Sequence, residues 1–501
     1  MNINEVTYSI NKYLNDLEPD KVAVAFITLM VSALVCVVLL NTDGNILAAT
    51  GFVASITILL IMFYRVDWGF FVFFLMVLLF DEHRIRGFES ITYDADYFKN
   101  FKENSHIPSF SAGIINPVEL QLILLLLAWF VAISIRKRTK IQHVQEWGLA
   151  FVFLLSLILS FVNGMKSGGE LLPALWEIRA LFYFGFLFFI VPQVIQTERQ
   201  LKTLMWVFIA VVSVKALQGS IRFAELGFTM SGFETLTNHE DPVFITLLII
   251  FLFSLILLKA DVKQSNVLLL LMSLLALGFF AGQRRAAYAG LFISFLAFIV
   301  LLHGKERLKI LKFLLPLIFI GVIYLIVFWK SDNKIASPIK LVKTAIDDDS
   351  QGERFLSNIY RDFERYNLAY TVQTSSPVTG VGFGNKYKNY IPLPEIPFPL
   401  RDYIPHNAIL WVIVKSGAIG FFIFWLFFNT IIFRCSSLYT KLQSPYLKSV
   451  CILIVVAILN QMVVSFYDLQ LTFYRNMIVL GTFCGLLPTL TNLNKKLKPA
   501  V

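Results

Sequence analysis

A chain of 501 residues, 57% of them hydrophobic with 49 phenylalanines and a mean hydropathy of +0.71, carries more apolar surface than one soluble core can bury. This excludes a soluble globular protein and predicts an all-α fold, a polytopic integral membrane helical bundle. The net charge of +10 lies beside helix ends and not in one basic stripe, so it reads as topology and affinity for an anionic leaflet, and no nucleic acid partner is indicated.

From the N-terminus, Met1 to Lys21 is polar and mixed in charge, so the first apolar run is expected to be a retained helix and not a cleaved signal. Apolar runs able to cross about 30 Å of hydrocarbon then recur along the chain. Fourteen are predicted, at 22–40, 46–64, 68–80, 117–135, 147–162, 171–191, 203–220, 241–258, 267–283, 285–302, 309–329, 406–433, 446–467 and 470–488, which sets an expectation of about 12–14 transmembrane helices. Taken alternately from a cytoplasmic N-terminus, Arg136-Lys137-Arg138, Lys305-Glu306-Arg307, Arg434 with Lys441, and Lys495-Lys496 all fall on one side, the positive-inside pattern. The chain divides into N-terminal helices (1–170) with an external loop at 81–116, central helices (171–329), a large external loop (330–405) that includes an amphipathic helix, and C-terminal helices (406–501). The four cysteines are scattered, and neither a disulfide framework nor a metal site follows from their spacing.

Ionisable side chains inside apolar runs are costly and ask for a partner or a purpose. In "WEIRALFYF", Arg179 cannot easily pair with Glu177, because residues two apart on a helix face different sides. Arg179 therefore either makes an ion pair with another helix or binds an anion. His239-Glu240-Asp241 reads as helix-start chemistry, Lys215 as a snorkelling side chain, and Asp468 and Arg475 as a pair flanking the last hairpin. In "AGQRRAAYAG", Arg284 and Arg285 interrupt an apolar stretch at an external turn, where they either snorkel or offer paired donors to phosphate.

In the large loop, Phe355, Ile359, Phe363, Tyr366 and Tyr370 recur at helical spacing while Arg354, Arg361 and Arg365 gather on another face. This predicts an amphipathic helix on the bilayer surface whose arginines meet either lipid phosphate or substrate phosphate. "SSPVTGVGFGNKY" then supplies glycine turns, and "IPLPEIPFPLRDYIPHN" is expected to be extended and stiff. His406 and Asn407 follow at the start of the next helix. Its unpaired N–H groups attract negative charge, and a neutral imidazole there accepts a proton from a hydroxyl; the alternative is a simple capping residue. Lys415 lies deep in the same run with no evident role.

The order of "EIR", "GQRRAAYAG", "SSPVTGVGFG" and "HNAILWVIVKSGAIG" resembles the O-antigen ligase and O-antigen polymerase superfamily, most specifically over residues 280–425. The resemblance implies a GT-C-like inverting glycosyltransferase of the bacterial inner membrane. Such an enzyme moves a glycan from undecaprenyl pyrophosphate to an acceptor glycan or glycolipid at the periplasmic face, without cofactor or obligatory metal, alongside other polysaccharide-assembly proteins. It implies pyrophosphate contacts from Arg179 and from Arg284 or Arg285, and a catalytic His406. Glu177, Arg354, Arg361, Arg365 and Asn407 are secondary candidates. The competing class is a transporter or flippase of an anionic lipid-linked saccharide, which also needs intramembrane arginines.

Overall fold

The computed structural model describes residues 19–41, 44, 46–85, 87–103, 114–134, 141, 142, 144–228, 233, 235–331, 339, 353–395, 398 and 400–497. Arg136-Lys137-Arg138 lies outside the described residues, and the side chain of Arg354 and the segments 104–113 and 340–352 of the two long connections are likewise outside what is described.

The described residues form helices and connecting segments, with no strand among them. In chain order the helices are α1 (Pro19–Asn41), α2 (Ile46–Tyr64), α3 (Val66–Leu79), α4 (Pro117–Ser134), α5 (Trp147–Lys166), α6 (Leu171–Val194), α7 (Glu198–Glu225), α8 (Asp241–Leu258), α9 (Val262–Leu270), α10 (Met272–Ala281), α11 (Arg285–Leu301), α12 (Gly304–Phe328), α13 (Glu353–Thr374), α14 (Ala408–Lys441), α15 (Pro445–Tyr467) and α16 (Tyr474–Leu497). Among the described residues nine helices, α4–α8, α12 and α14–α16, are long and apolar enough to cross a membrane, and α9 with α10 makes a tenth if taken as one bent span. Shorter apolar stretches lie in α1, α2, α3 and α11. The chain is a polytopic helical membrane protein. Two expected straight spans are broken: the 267–283 run bends by 53° at the α9–α10 junction, and the run from 406 continues to Lys441 with an interruption at Gly417.

The most extensive helix pairing is α6 against α16. Close approach there depends on small residues, since a Cβ on Gly481 would stand 2.6 Å from the Phe184 carbonyl oxygen and one on Gly485 2.9 Å from Val191 Cβ. In lipid, where apolar side chains gain nothing by leaving their surroundings, such backbone proximity is what holds helices together. Phe153 of α5, Phe184 of α6 and Phe427 of α14 fill the adjoining space, Phe153 stacking on Phe427 at 5.2 Å. Helices α4, α5 and α12 turn Phe130, Phe151, Leu159, Phe319 and Ile326 outward, an apolar surface that suits acyl chains.

The break in α14 positions everything at the end of the bundle where the two long connections lie. Gly417 has φ 64° and ψ −170°, which interrupts the helical hydrogen bonds on either side. The segment 377–385 supplies replacements: Val381 N–H donates to the Val414 carbonyl at 2.9 Å, Gly382 N–H to the Lys415 carbonyl at 3.0 Å, and Ala418 N–H to the Pro377 carbonyl at 2.9 Å. Irregular backbone is tolerated in such a protein where other protein buries and satisfies it. From Gly417 to Lys441 the helix still rises roughly 36 Å, enough to cross hydrocarbon unaided. Residues 408–416 are therefore a separate helical turn set above the span.

Helix α13 confirms the amphipathic reading but uses its faces differently. Tyr360, Glu364, Asn367, Leu368 and Thr371 are buried, while Phe363 and Tyr366 stay outward. Asn367 clamps the following chain through both Ile391 backbone groups, each at 2.8 Å. The proline-spaced stretch is not extended throughout: it turns over residues 400–404, with Ile404 N–H donating to the Leu400 carbonyl at 2.8 Å.

Gly382 has φ 82°, and a Cβ there would stand 2.2 Å from the Gly164 nitrogen. Gly382→Ala is expected to lower the thermal midpoint in detergent by several degrees, through about 1–3 kcal/mol of backbone strain and overpacking. Gly321→Ala, in a helix with nothing within 4 Å, should leave the midpoint unchanged or raise it; differential scanning fluorimetry compares the two.

Candidate functional site

His406 immediately precedes Asn407, the N-cap of α14, whose Oδ1 accepts from Leu410 N–H at 2.9 Å. The ring is 26% exposed at the side chain, and its Nδ1 lies 3.2 Å from Glu364 Oε1, a carboxylate only 2% exposed. The other oxygen, Glu364 Oε2, accepts the His406 backbone N–H at 2.9 Å. Two contacts to one buried carboxylate fix both the backbone and the ring, and Tyr360 closes one side edge-on at 5.4 Å. A carboxylate behind Nδ1 leaves Nε2 as the nitrogen presented outward, the arrangement of a general base held by an orienting acid.

The arginines approach the same helix. Arg285, the first residue of α11, donates from Nη2 to Asn358 Oδ1 on α13 at 3.2 Å. Asn358 precedes Glu364 by six residues, roughly 9 Å of helix rise. Arg361 and Arg365 continue the Asn358 stripe at helical spacing. Arg365 pairs with Asp362 at 2.8 Å and lies 5.8 Å over the Phe466 ring at the end of α15, and Arg361 Nε is buried with no hydrogen-bond partner among the described residues. Arg284, the N-cap of α11, contacts His239 Nε2 through Nη2, and His239 Nδ1 is 3.1 Å from Asp468 Oδ2, two residues beyond Phe466. Thus Arg285 meets α13 at Asn358, on the stripe that carries Arg361 and Arg365 and next to the one that carries Tyr360 and Glu364, while Arg284 beside it turns to His239. Burial opposes ionisation of Asp468, but His239 and Arg284 beside it outweigh that cost and hold its carboxyl well below the usual carboxylate range.

Arg179 has partners of its own. Its Nη1 donates to Asn100 Oδ1 at 2.8 Å, Nη2 to the Ile114 carbonyl at 2.5 Å, and Nε is 3.2 Å from Glu119 Oε1. The ion pair with Glu119 joins α6 to α4, and the two hydrogen bonds join it to the connection before α4. Arg475 does not pair with Asp468; its Nη2 is 2.9 Å from Asp241 Oδ1, and it is wholly buried. Lys215 is also buried instead of snorkelling, 2.5 Å from Asp81 Oδ1.

Lys415 and Glu177 explain each other. Lys415 Nζ is 2.7 Å from Glu177 Oε1 with neither side chain exposed. Glu177 also accepts from Trp411 Nε1 at 3.1 Å and from Gly384 N–H at 2.6 Å, and Lys415 Nζ reaches the Asn385 carbonyl. One buried pair thereby joins α6, α14 and the 377–385 segment just below His406. Sequence reasoning missed Glu364 and this pairing. The available signal for Glu364 was its spacing of four from Tyr360 on a helix read only for its arginine and apolar faces.

Residues 267–425 match a family model described as O-antigen ligase. The matched stretch contains Arg284, Arg285, Glu364, His406 and Lys415 but neither Arg179 nor His239. It supports assignment to the O-antigen ligase and polymerase superfamily, and with it a membrane enzyme that processes glycans. No curated relative matches the chain.

Lys415→Met leaves the Glu177 carboxylate buried without a cation, a loss of about 3–5 kcal/mol. Unfolding of the purified protein in micelles should show that loss. Adding Glu177→Gln, which removes the stranded charge and keeps one acceptor oxygen for either Gly384 N–H or Trp411 Nε1–H, should recover part of it.

Proposed function

We propose that this superfamily member transfers a glycan from undecaprenyl pyrophosphate to an acceptor sugar hydroxyl, with inversion at the anomeric carbon, at the periplasmic face of a bacterial inner membrane and with both termini cytoplasmic. The observation that carries the proposal is the Glu364-backed His406 lying against a helix that carries Arg361 and Arg365 and is met by Arg285. A lipid-linked diphosphate is an anion that arrives from the bilayer, while an acceptor sugar is a neutral alcohol that arrives from water, and the two halves of the site match those two demands.

On the donor side, Arg284, Arg285, Arg361 and Arg365 grip the diphosphate, assisted by the N-terminus of α11, whose unpaired N–H groups favour anions. Arg179 enters as the anchor of the connection before α4, because its donors are already engaged by Asn100, Ile114 and Glu119. On the acceptor side, His406 Nε2 takes the hydroxyl proton while Glu364 stabilises the resulting imidazolium through Nδ1. The hydroxyl oxygen bonds to the anomeric carbon as the bond from that carbon to the phosphate oxygen breaks. The electron pair leaves with the lipid pyrophosphate. Negative charge therefore grows on the diphosphate in the transition state, and fixed guanidinium groups stabilise that growth more than they stabilise the bound donor.

Polymerase and ligase reactions share this chemistry and differ in the acceptor, another lipid-linked repeat or a lipid A core sugar. We favour the polymerase, since the resemblance lies in the domain common to both.

Protein in nanodiscs, supplied with an undecaprenyl-pyrophosphate-linked repeat, should give a ladder of products on a gel. His406→Ala should slow transfer by about 10²–10⁴-fold, the usual loss of a general base. Glu364→Gln should slow it by about 10–100-fold with little change in KM, as for the loss of an orienting partner. Undiminished transfer by both variants would remove His406 from the chemistry.

A further inference from the structure

We infer that His239 is a positioning residue for Arg284, with its tautomer set by Asp468. The inference rests on the diphosphate-binding role proposed above for Arg284.

A guanidinium carries only donors. The contact between Arg284 Nη2 and His239 Nε2 therefore requires Nε2 to be the acceptor and the ring proton to reside on Nδ1. Nδ1 faces Asp468 Oδ2 at 3.1 Å, an acceptor suited to receive that proton. Asp468 is itself fixed, since its Oδ1 accepts from Leu469 N–H at 2.9 Å and its Oδ2 from Gln470 Nε2 at 3.1 Å. Phe473 meets the imidazole edge-on at 5.8 Å and limits its rotation. The sequence runs from a rigid turn through an oriented imidazole to one face of an arginine.

That chain of contacts answers a specific need. An arginine side chain has many rotamers, and freezing them on each encounter with donor weakens binding. A neutral imidazole that holds one Nη orders the guanidinium before the donor arrives. Histidine suits the task because one side of the ring accepts while the other donates, so the Asp468 contact dictates what Arg284 meets. His239 lies 45 residues before Arg284 and outside the family-matched stretch, and its neighbours Glu240 and Asp241 serve Arg475 instead.

The test measures binding of undecaprenyl pyrophosphate, and separately of inorganic pyrophosphate, to nanodisc-embedded protein. His239→Leu should weaken binding of both about tenfold, the loss of one charge-assisted contact. His239→Gln, whose side-chain oxygen reaches the place of Nε2, should recover most of that loss, whereas the shorter His239→Asn should not. Thermal midpoints of the three variants should agree within a degree. Equal binding by Gln and Asn variants, or wild-type binding by the Leu variant while Arg284→Gln is weakened, overturns the positioning role. Wild-type binding by Arg284→Gln instead overturns the reading of Arg284 itself, and His239 falls with it.

Discussion

Lys415 and Glu177 lie 2.7 Å apart, both out of reach of solvent, and in a low-dielectric bundle the removal of either leaves a charge that nothing nearby can screen. The pair is also a junction. Glu177 belongs to the most deeply packed helix pairing, Lys415 to the broken helix α14, and the Gly384 and Asn385 backbone groups that complete the cluster belong to the segment that mends the break. Once these three are tied, the N-terminal turns of α14 can only stand where α13 meets them. His406 is thereby delivered to Glu364. A buried ion pair is poor evidence of stability for its own sake, because two apolar side chains often do as well. Its use here is to specify one register for an irregular backbone that would otherwise have many.

The separation of labour at the loop-bearing end follows from that frame. Side chains of one helix, α13, serve two purposes by lying on adjacent stripes: Tyr360 and Glu364 turn to the imidazole, while Asn358 meets the start of α11 and Arg365 the end of α15. The turn between α15 and α16 runs along the far edge, with Asp468 bound to His239 and Arg475 bound to Asp241. Because His239 lies two residues before α8 and Asp468 caps the end of α15, the arginine group is braced at the ends of the most buried helices of the bundle.

Much of this was legible in the sequence. Apolar run length located the nine or ten spans found among the described residues but overcounted at 22–40, 46–64, 68–80 and 285–302, which give only shorter apolar stretches; helical spacing located α13, because a 3.6-residue period leaves a direct mark on composition. The arginines and His406 stood out since charge at a membrane boundary needs a reason. What stayed hidden was pairing over long separations. Glu177 and Lys415 are 238 positions apart, and nothing local in either run names the other. The Gly417 break was masked by an apolar run that continues through it, and the bend between α9 and α10 falls at Leu271, a residue with no helix-breaking character. Arg179 was singled out correctly as a buried charge, but its partner Glu119 lies on a helix that gave no sign of needing one.

The most direct measurement is a cryo-EM structure of the protein in nanodiscs with undecaprenyl pyrophosphate bound. The account predicts diphosphate oxygens within about 3 Å of guanidinium nitrogens of Arg285 and Arg361, with His406 Nε2 facing the open side of the terminal phosphate. A diphosphate held at Arg179, or at the opposite end of the bundle, would contradict it.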